Sequence, residues 1–197
     1  MTAPLPRPDK KPRPDAADRI LRATARAIVH SGAVSVTMSE VAEEAAVSKG
    51  LIHYHFHDKE TLLARLVEWI TRSLLERERR ALADSAPRQA VDDLWRWLES
   101  ELERGHIRVL NELSEWRGEL VMRSIRESAR SRRVAAADTI EHLFQLLGLR
   151  LRVPSGLVAE VVVAFMDGLA VSSVVAPEAN PRASFDVMWL ALLGLAE

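Results

Sequence analysis

The chain predicts an all-α protein of about nine helices, and three observations carry that prediction. From about Ala16 onward, apolar side chains recur every three or four positions, as one face of a helix requires. Strict polar–apolar alternation, the signature of a half-buried strand, is missing, and β-branched and aromatic clusters are scarce. Helix punctuation is frequent: Thr37, Ser48 and Asp58 stand where N-caps are needed, and Gly32, Gly105 and Gly118 where helices should stop.

Residues 1–15 combine five prolines with Arg7, Lys10, Lys11 and Arg13, a basic arm too poor in apolar surface to order itself. The first helix is expected from Ala16 to Ser31, with Ile20, Leu21, Thr24, Ala27 and Ile28 on one face and Gly32 at its end. Thr37-Met38-Ser39-Glu40 reads as a capping box, in which hydroxyl and carboxylate satisfy each other's free backbone N–H groups. It opens a short helix to about Ala45, and Ser48 caps a second one that ends near Phe56. Two helices of two turns, joined by about three residues and preceded by a longer support, have the spacing of a helix-turn-helix.

Asp58 then caps a long helix to about Ala83, striped with Leu62, Leu63, Leu66, Val67, Ile70, Leu74 and Leu75. Pro87 opens the next, which carries Val91, Leu94, Trp95, Leu98 and Leu102 and stops near Gly105. A short helix follows from His106 to Trp116, and a long one from Glu119 to Leu149 buries Val121, Ile125, Ala136, Ile140, Leu143, Phe144 and Leu147. The five arginines from Arg123 to Arg133 fall on most sides of that helix and are expected to be solvated. The last two helices, about 155–176 and 182–196, are apolar nearly all round, and a short C-terminal pair is rarely enclosed by its own chain. We therefore expect a homodimer interface built from Val158, Val162, Phe165, Leu169, Val187, Trp189, Leu190 and Leu193.

At 197 residues, 48% hydrophobic and 28% charged, the chain is long enough to bury a sizeable core as one large domain or two small ones. No run of about 18 uninterrupted apolar residues occurs, and the first residues hold charge and proline where a secretory signal needs an apolar stretch, so no membrane span and a cytoplasmic location are expected. Cysteine is absent, which excludes disulfide scaffolds, thiolate catalysis and cysteine-ligated metals together. Gly-x-Ser-x-Gly, P-loop and dinucleotide fingerprints are also absent, so neither an enzyme nor a cofactor is expected. Net charge is -1, divided into +2 over residues 1–59 and -3 over the rest.

Several segments together resemble the N-terminal DNA-binding domain of TetR-family transcriptional regulators. They are Ile20-Leu21-Arg22-Ala23, Gly32, Thr37-Met38, Val41-Ala42-Glu43-Glu44-Ala45-Ala46-Val47-Ser48-Lys49-Gly50, and His55-Phe56-His57-Asp58-Lys59-Glu60-Thr61-Leu62-Leu63. The resemblance covers about 45 residues. It implies a DNA-binding domain over 16–60 and a helical ligand-binding and dimerisation domain over 61–197. The expected function is a homodimeric regulator on a pseudo-palindromic, double-stranded operator, a repressor released by a small-molecule effector, with an activator as the alternative that the residues do not separate from it. A helix-turn-helix that has lost its DNA is the rival, and the intact Lys49, Tyr54, His55 and Lys59 argue against it.

With Ile52 and Phe56 facing inward, the second short helix leaves Lys49, Gly50, Leu51, His53, Tyr54 and His55 outward for a major groove. Lys49 and Lys59 can neutralise phosphates, Gly50 permits close backbone approach, Tyr54 and His55 can hydrogen-bond, and the helix start at Thr37 offers free N–H groups to a phosphate. The resemblance implies that these residues and Ser48 contact DNA. Where the family usually has glycine this chain has Ala46, and Leu51 and His53 replace its common threonine and tyrosine, so base preference does not transfer from relatives. The tract His53-Tyr54-His55-Phe56-His57 would converge on a metal only as a strand; on a helix only His53 and His57 share a face, and no metal is expected. The family also implies an effector pocket among the middle helices, for which the candidates are Trp95, Leu98, Leu102, His106, Asn111, Leu113, Trp116, Met122, Phe144 and Met166. Trp69 and Trp189 are expected to be packing residues.

Overall fold

The computed structural model describes residues 15–197, so the basic arm lies outside the described residues except for Asp15. Among them are α1 (Ala16–Ser31), α2 (Met38–Glu44), α3 (Lys49–Phe56), α4 (Lys59–Leu82), α5 (Ala90–Arg104), α6 (His106–Leu113), α7 (Glu119–Leu146), α8 (Ser155–Val175) and α9 (Pro181–Leu193). The all-α prediction holds, with one isolated antiparallel bridge, Leu151 to Ala196.

Three helices start on the predicted caps. Thr37 Oγ1 accepts the Glu40 N–H (3.2 Å) while Glu40 Oε2 accepts that of Thr37 (2.7 Å), Ser48 Oγ accepts from Leu51, and Asp58 Oδ1 accepts from Thr61 (2.7 Å). Other ends fall short of the sequence expectation for local reasons. The N–H groups of Gln89 and Ala90 both turn back to the Ala86 carbonyl, so α5 begins at Ala90 rather than Pro87. At the end of α7, left-handed Gly148 (φ 70°) lets the Leu149 N–H reach the Phe144 carbonyl, which closes the helix at Leu146.

The first core is formed by Ile20 and Ile28 of α1, Val41 of α2, Ile52 and Phe56 of α3, and Leu63, Leu66 and Ile70 of α4. It does not stop there: Val109, Leu110 and Leu113 of α6 and Val121 of α7 complete it. Further clusters fill the rest of the molecule, one between α7, α8 and α9 around Phe144 and Trp189, another between α4, α5 and α8 around Leu74, Leu98 and Met166. α8, at 21 residues, is long and apolar enough to cross a membrane by length and composition; here its inner side packs on α7, and its Asp167 is 2.5 Å from Arg132 of that helix.

The turn between α2 and α3 places Ala46 at φ 51°, the left-handed region that disfavours any side chain. The turn is held by Val47 N–H on the Ala42 carbonyl (2.9 Å) and by the Arg19 guanidinium, which donates to the carbonyls of Ala45 (2.9 Å) and Ala46 (3.2 Å). Ala46→Gly should relieve this strain and, after the larger entropy of the unfolded glycine chain is counted, raise stability by about 0.5–1 kcal/mol. Urea unfolding checks it as a higher midpoint at unchanged m.

Candidate nucleic-acid interface and interior cavity

α3 carries its two buried side chains, Ile52 and Phe56, on one side and turns the rest out. Lys49, Gly50, His53 and Tyr54 are exposed, Tyr54 to 76%, while Leu51 and His55 are half-buried; the Tyr54 and His55 rings meet edge-on at 5.2 Å. An exposed tyrosine of that extent has no role in the core. His53 and His57 do not face outward freely: each ring Nδ1 donates to the other's carbonyl (2.8 and 3.1 Å), which secures the end of α3 where His57 sits at φ 59°.

Two further candidates have structural partners of their own. Thr37 is bound in the capping box, and Glu40 places a carboxylate at the start of α2, its pKa held below the usual range by the Thr37 N–H above all. A phosphate arriving there would meet the N–H groups of Met38 and Ser39 rather than those of the box. Lys59 is half-buried, donates to the Val34 carbonyl (3.0 Å) and lies 5.1 Å over the Trp116 ring; burial draws its pKa down, with Glu40 opposing.

Lys59 belongs to a seam that sequence reasoning missed. Arg108 Nη2 of α6 donates to the Val29 carbonyl (2.5 Å), Glu112 Oε2 of α6 accepts the Ala33 N–H (3.0 Å), and Glu60 Oε1 of α4 accepts the Leu120 N–H of α7 (3.0 Å). Gly105, left-handed at φ 70°, lets α6 come this close: a Cβ there would fall 2.8 Å from Val29 Cγ2.

The interior cavity lies between α4, α5, α7, α8 and α9. Of the ten pocket candidates, Leu98 and Met166 line it. The others are used elsewhere. Trp95 stacks on Phe185 (5.3 Å) beneath the Arg182 guanidinium, Leu102 packs beside it in the α4–α5–α8 cluster, and Phe144 packs on Trp189 (6.1 Å). His106 accepts from Arg77 Nη2 (3.1 Å), and Arg77 also grips the fully buried Glu101 through Nε (2.5 Å) and Nη2 (2.7 Å). Asn111 donates to the Asp167 carbonyl, Leu113 and Trp116 serve the first core, and Met122 is half-buried near the start of α7.

In their place the walls carry four polar residues: Glu78, Trp97, Arg132 and Thr139. Arg132, expected in solvent, is 7% exposed and paired with Asp167; Thr139 donates to Glu78 (2.8 Å). Burial pushes the Glu78 carboxyl up, against the Thr139 hydrogen bond and the charges of Arg132 and Arg79. The signal was available: Glu78 follows Ile70 and Leu74 at intervals of four, and Arg132 precedes Ala136 and Ile140 in the same way, so both stand on the buried stripe. The free volume of the cavity is about 40 Å³, room for a few atoms and no more until side chains move.

The outer helices also differ from the expected interface. Val158, Leu169 and Trp189 are buried within the protomer, and Val162, Phe165 and Leu193 are half-buried, because α8 and α9 turn these residues toward α7 and α5. Val187 and Leu190 are exposed. An unbroken apolar composition gave the sequence no phase, and the outward face is instead Leu157, Val161, Ala164, Gly168, Val171 and Val175.

The family model for bacterial regulatory proteins of the tetR family matches residues 20–66. The HTH-type transcriptional regulator BetI of Agrobacterium fabrum is 40% identical over 55 residues, 28% of this chain and 27% of that protein, so the match spans little more than a quarter of the relative. Two solved structures are similar over nearly the whole chain. A TetR transcription regulator from Haloarcula marismortui superposes with TM-score 0.75 at 17% identity, over 93% of this chain and 99% of the other. SmeT, in its complex with triclosan, does so with TM-score 0.65 at 17% identity, over 89% and 90%. The capped α2-turn-α3 unit with its outward Lys49 and Tyr54, and the matched sequence, agree on one conclusion: residues 20–66 belong to the TetR family of bacterial regulatory proteins.

Proposed function

We propose that the protein is a homodimeric transcriptional repressor that sets two α3 helices into successive major grooves of a pseudo-palindromic operator and is released by a small-molecule effector. The observation that carries the reading is α3 itself, a short helix pinned at both ends, buried by Ile52 and Phe56 alone, with Lys49, Gly50 and Tyr54 exposed on its free side. Lys49 meets phosphate, Tyr54 and His55 hydrogen-bond to backbone or base edges, and Leu51 offers a methyl contact to thymine.

A second copy is the partner for the outer faces of α8 and α9, which expose Leu157 (59%) and Val161 (60%) on the one and Val187 (68%) and Leu190 (67%) on the other, with the small Ala164 and Gly168 of α8 allowing close approach. The effector enters the interior cavity, a role supported by the triclosan complex of the structurally similar SmeT. It wedges the far part of α4 away from α7, and α4 transmits the displacement to α3 because its first half belongs to the DNA-binding core. Such a ligand acts only through its different affinity for the two arrangements.

The reading is tested with DNA from upstream of the protein's own gene, by fluorescence anisotropy across a salt series. Tyr54→Ala should weaken operator binding by about tenfold or more, and Lys49→Ala should weaken it on all sequences while lowering the salt slope by about one per protomer. Binding of selected operator DNA that ignores both changes would remove α3 as the reading element. Val161→Glu and Leu190→Glu, both on the exposed face, should leave thermal stability of the protomer nearly unchanged yet yield monomers in sedimentation, with operator affinity lost.

A further inference from the structure

Two buried nitrogen donors without a partner among the described residues, Trp97 Nε1 and Arg132 Nε, belong to residues that line the same cavity. Trp97 is 6% and Arg132 7% exposed, so water does not meet their N–H groups from outside. Buried donors are ordinarily satisfied, and leaving one unpaired carries a desolvation cost that any acceptor placed there recovers. Of the other polar atoms of the wall residues, Arg132 Nη2 donates to Asp167 of α8 and Thr139 Oγ1 to Glu78 Oε1.

Resting on the effector reading above, we propose that this cavity selects an uncharged apolar molecule bearing one acceptor oxygen, a ketone or ester, whose oxygen is received by the N–H groups of Trp97 and Arg132. The charges of the site argue for neutrality. A ligand cation would face the Trp97 N–H and the Arg132 guanidinium, with Glu78 held by Thr139 and pushed toward its neutral form by burial, while a ligand carboxylate would find the Arg132 charge already met by Asp167. The rest of the wall, including Leu74, Leu98, Ile140 and Val163, is hydrocarbon. Met166 and Met188, flexible and also in the wall, are the side chains that yield to make room. The way in is marked by the Glu78–Thr139 hydrogen bond, because Leu75, Glu78 and Thr139 also line an open groove between α4 and α7 with Arg79, Asp138 and His142.

The test uses the full chain with ¹⁵N-labelled tryptophan and four probes of equal chain length: octan-2-one, oct-1-ene, octanoate and octyltrimethylammonium. The Trp97 indole resonance is assigned from Trp97→Phe. Octan-2-one should move that resonance downfield and bind about tenfold more tightly than oct-1-ene, a few-fold for each of the two recovered hydrogen bonds. Trp97→Phe should reduce this advantage to a few-fold while leaving oct-1-ene affinity alone. Arg132→Lys, which keeps the charge opposite Asp167 but not the Nε–H, should do the same; should that variant fail to fold, Trp97→Phe decides. Equal affinity for ketone and alkene, preference for either ion, an unmoved Trp97 resonance, or no binding of any probe overturns the proposal. Operator release is recorded on the same samples. Release by the cation or the carboxylate overturns the ligand class and leaves the repressor reading standing, whereas tight octan-2-one binding without release upholds the class and overturns the effector role.

Discussion

α4 is the constraint on which the rest of the structure depends. Its 24 residues make a rod about 36 Å long, and that rod is shared by cores that would otherwise be separate. Leu62, Leu63, Leu66 and Ile70 serve the core beneath α1–α3, Leu74 the cluster around Leu98 and Met166, and Leu82 the cluster around Phe144. Close-packed cores resist continuous deformation, so a rigid rod anchored in several of them moves as a unit or not at all. Two hydrogen bonds tie the rod to α7 at different heights, Thr71 to Ser128 (2.6 Å) and Glu78 to Thr139. The second of these lies in the cavity wall, at the point where a guest would meet the rod.

The seam between the DNA-binding unit and the helices above it has a distinct chemistry. Charged side chains reach across it to backbone atoms, Arg108 to Val29, Glu112 to Ala33 and Glu60 to Leu120, and Lys59, held at the Val34 carbonyl, crosses it to the Trp116 ring. Backbone partners cannot swing aside as side chains do, so each contact fixes position and direction together. Hydrogen bonds to charged groups contribute about 1.5–3 kcal/mol each at most, and less where exposed, so the seam is firm on its own yet within reach of the free energy a bound ligand can supply.

Most of the fold was legible because helix physics is local. Capping side chains, apolar spacing and glycine stops located α1 to α4 within a residue or two, and the same local signals framed the short helices that carry the family resemblance. Three things were not legible. α8 and α9 are apolar on every side, which reports burial but not direction, so the face turned to α7 could not be told from the face turned to solvent. Lys59 reads as a surface cation until its partners are known, and both are remote in sequence, at Val34 and Trp116. Aromatic, apolar and polar side chains of the middle helices are the sequence's pocket candidates, yet Trp95 and Phe144 pack into clusters, His106 and Asn111 are bonded to Arg77 and the Asp167 carbonyl, and Glu78, Arg132 and Thr139 hold the polar positions. A charged residue in phase with a buried stripe is the sequence sign of such a site.

The tightness of the cavity has a consequence for the threshold at which the protein would respond. Met166, Met188 and Trp189 are in the wall of that narrow space, so if the proposed effector enters it, its apparent affinity would fall with the fraction of the population whose walls are parted. Sensitivity is then written in how readily the walls part, as much as in what the guest touches. Substitutions that only trim hydrocarbon would shift the concentration for response without altering the DNA sequence read or the ligand recognised. Evolution could thus tune dose by core packing and leave both binding vocabularies intact.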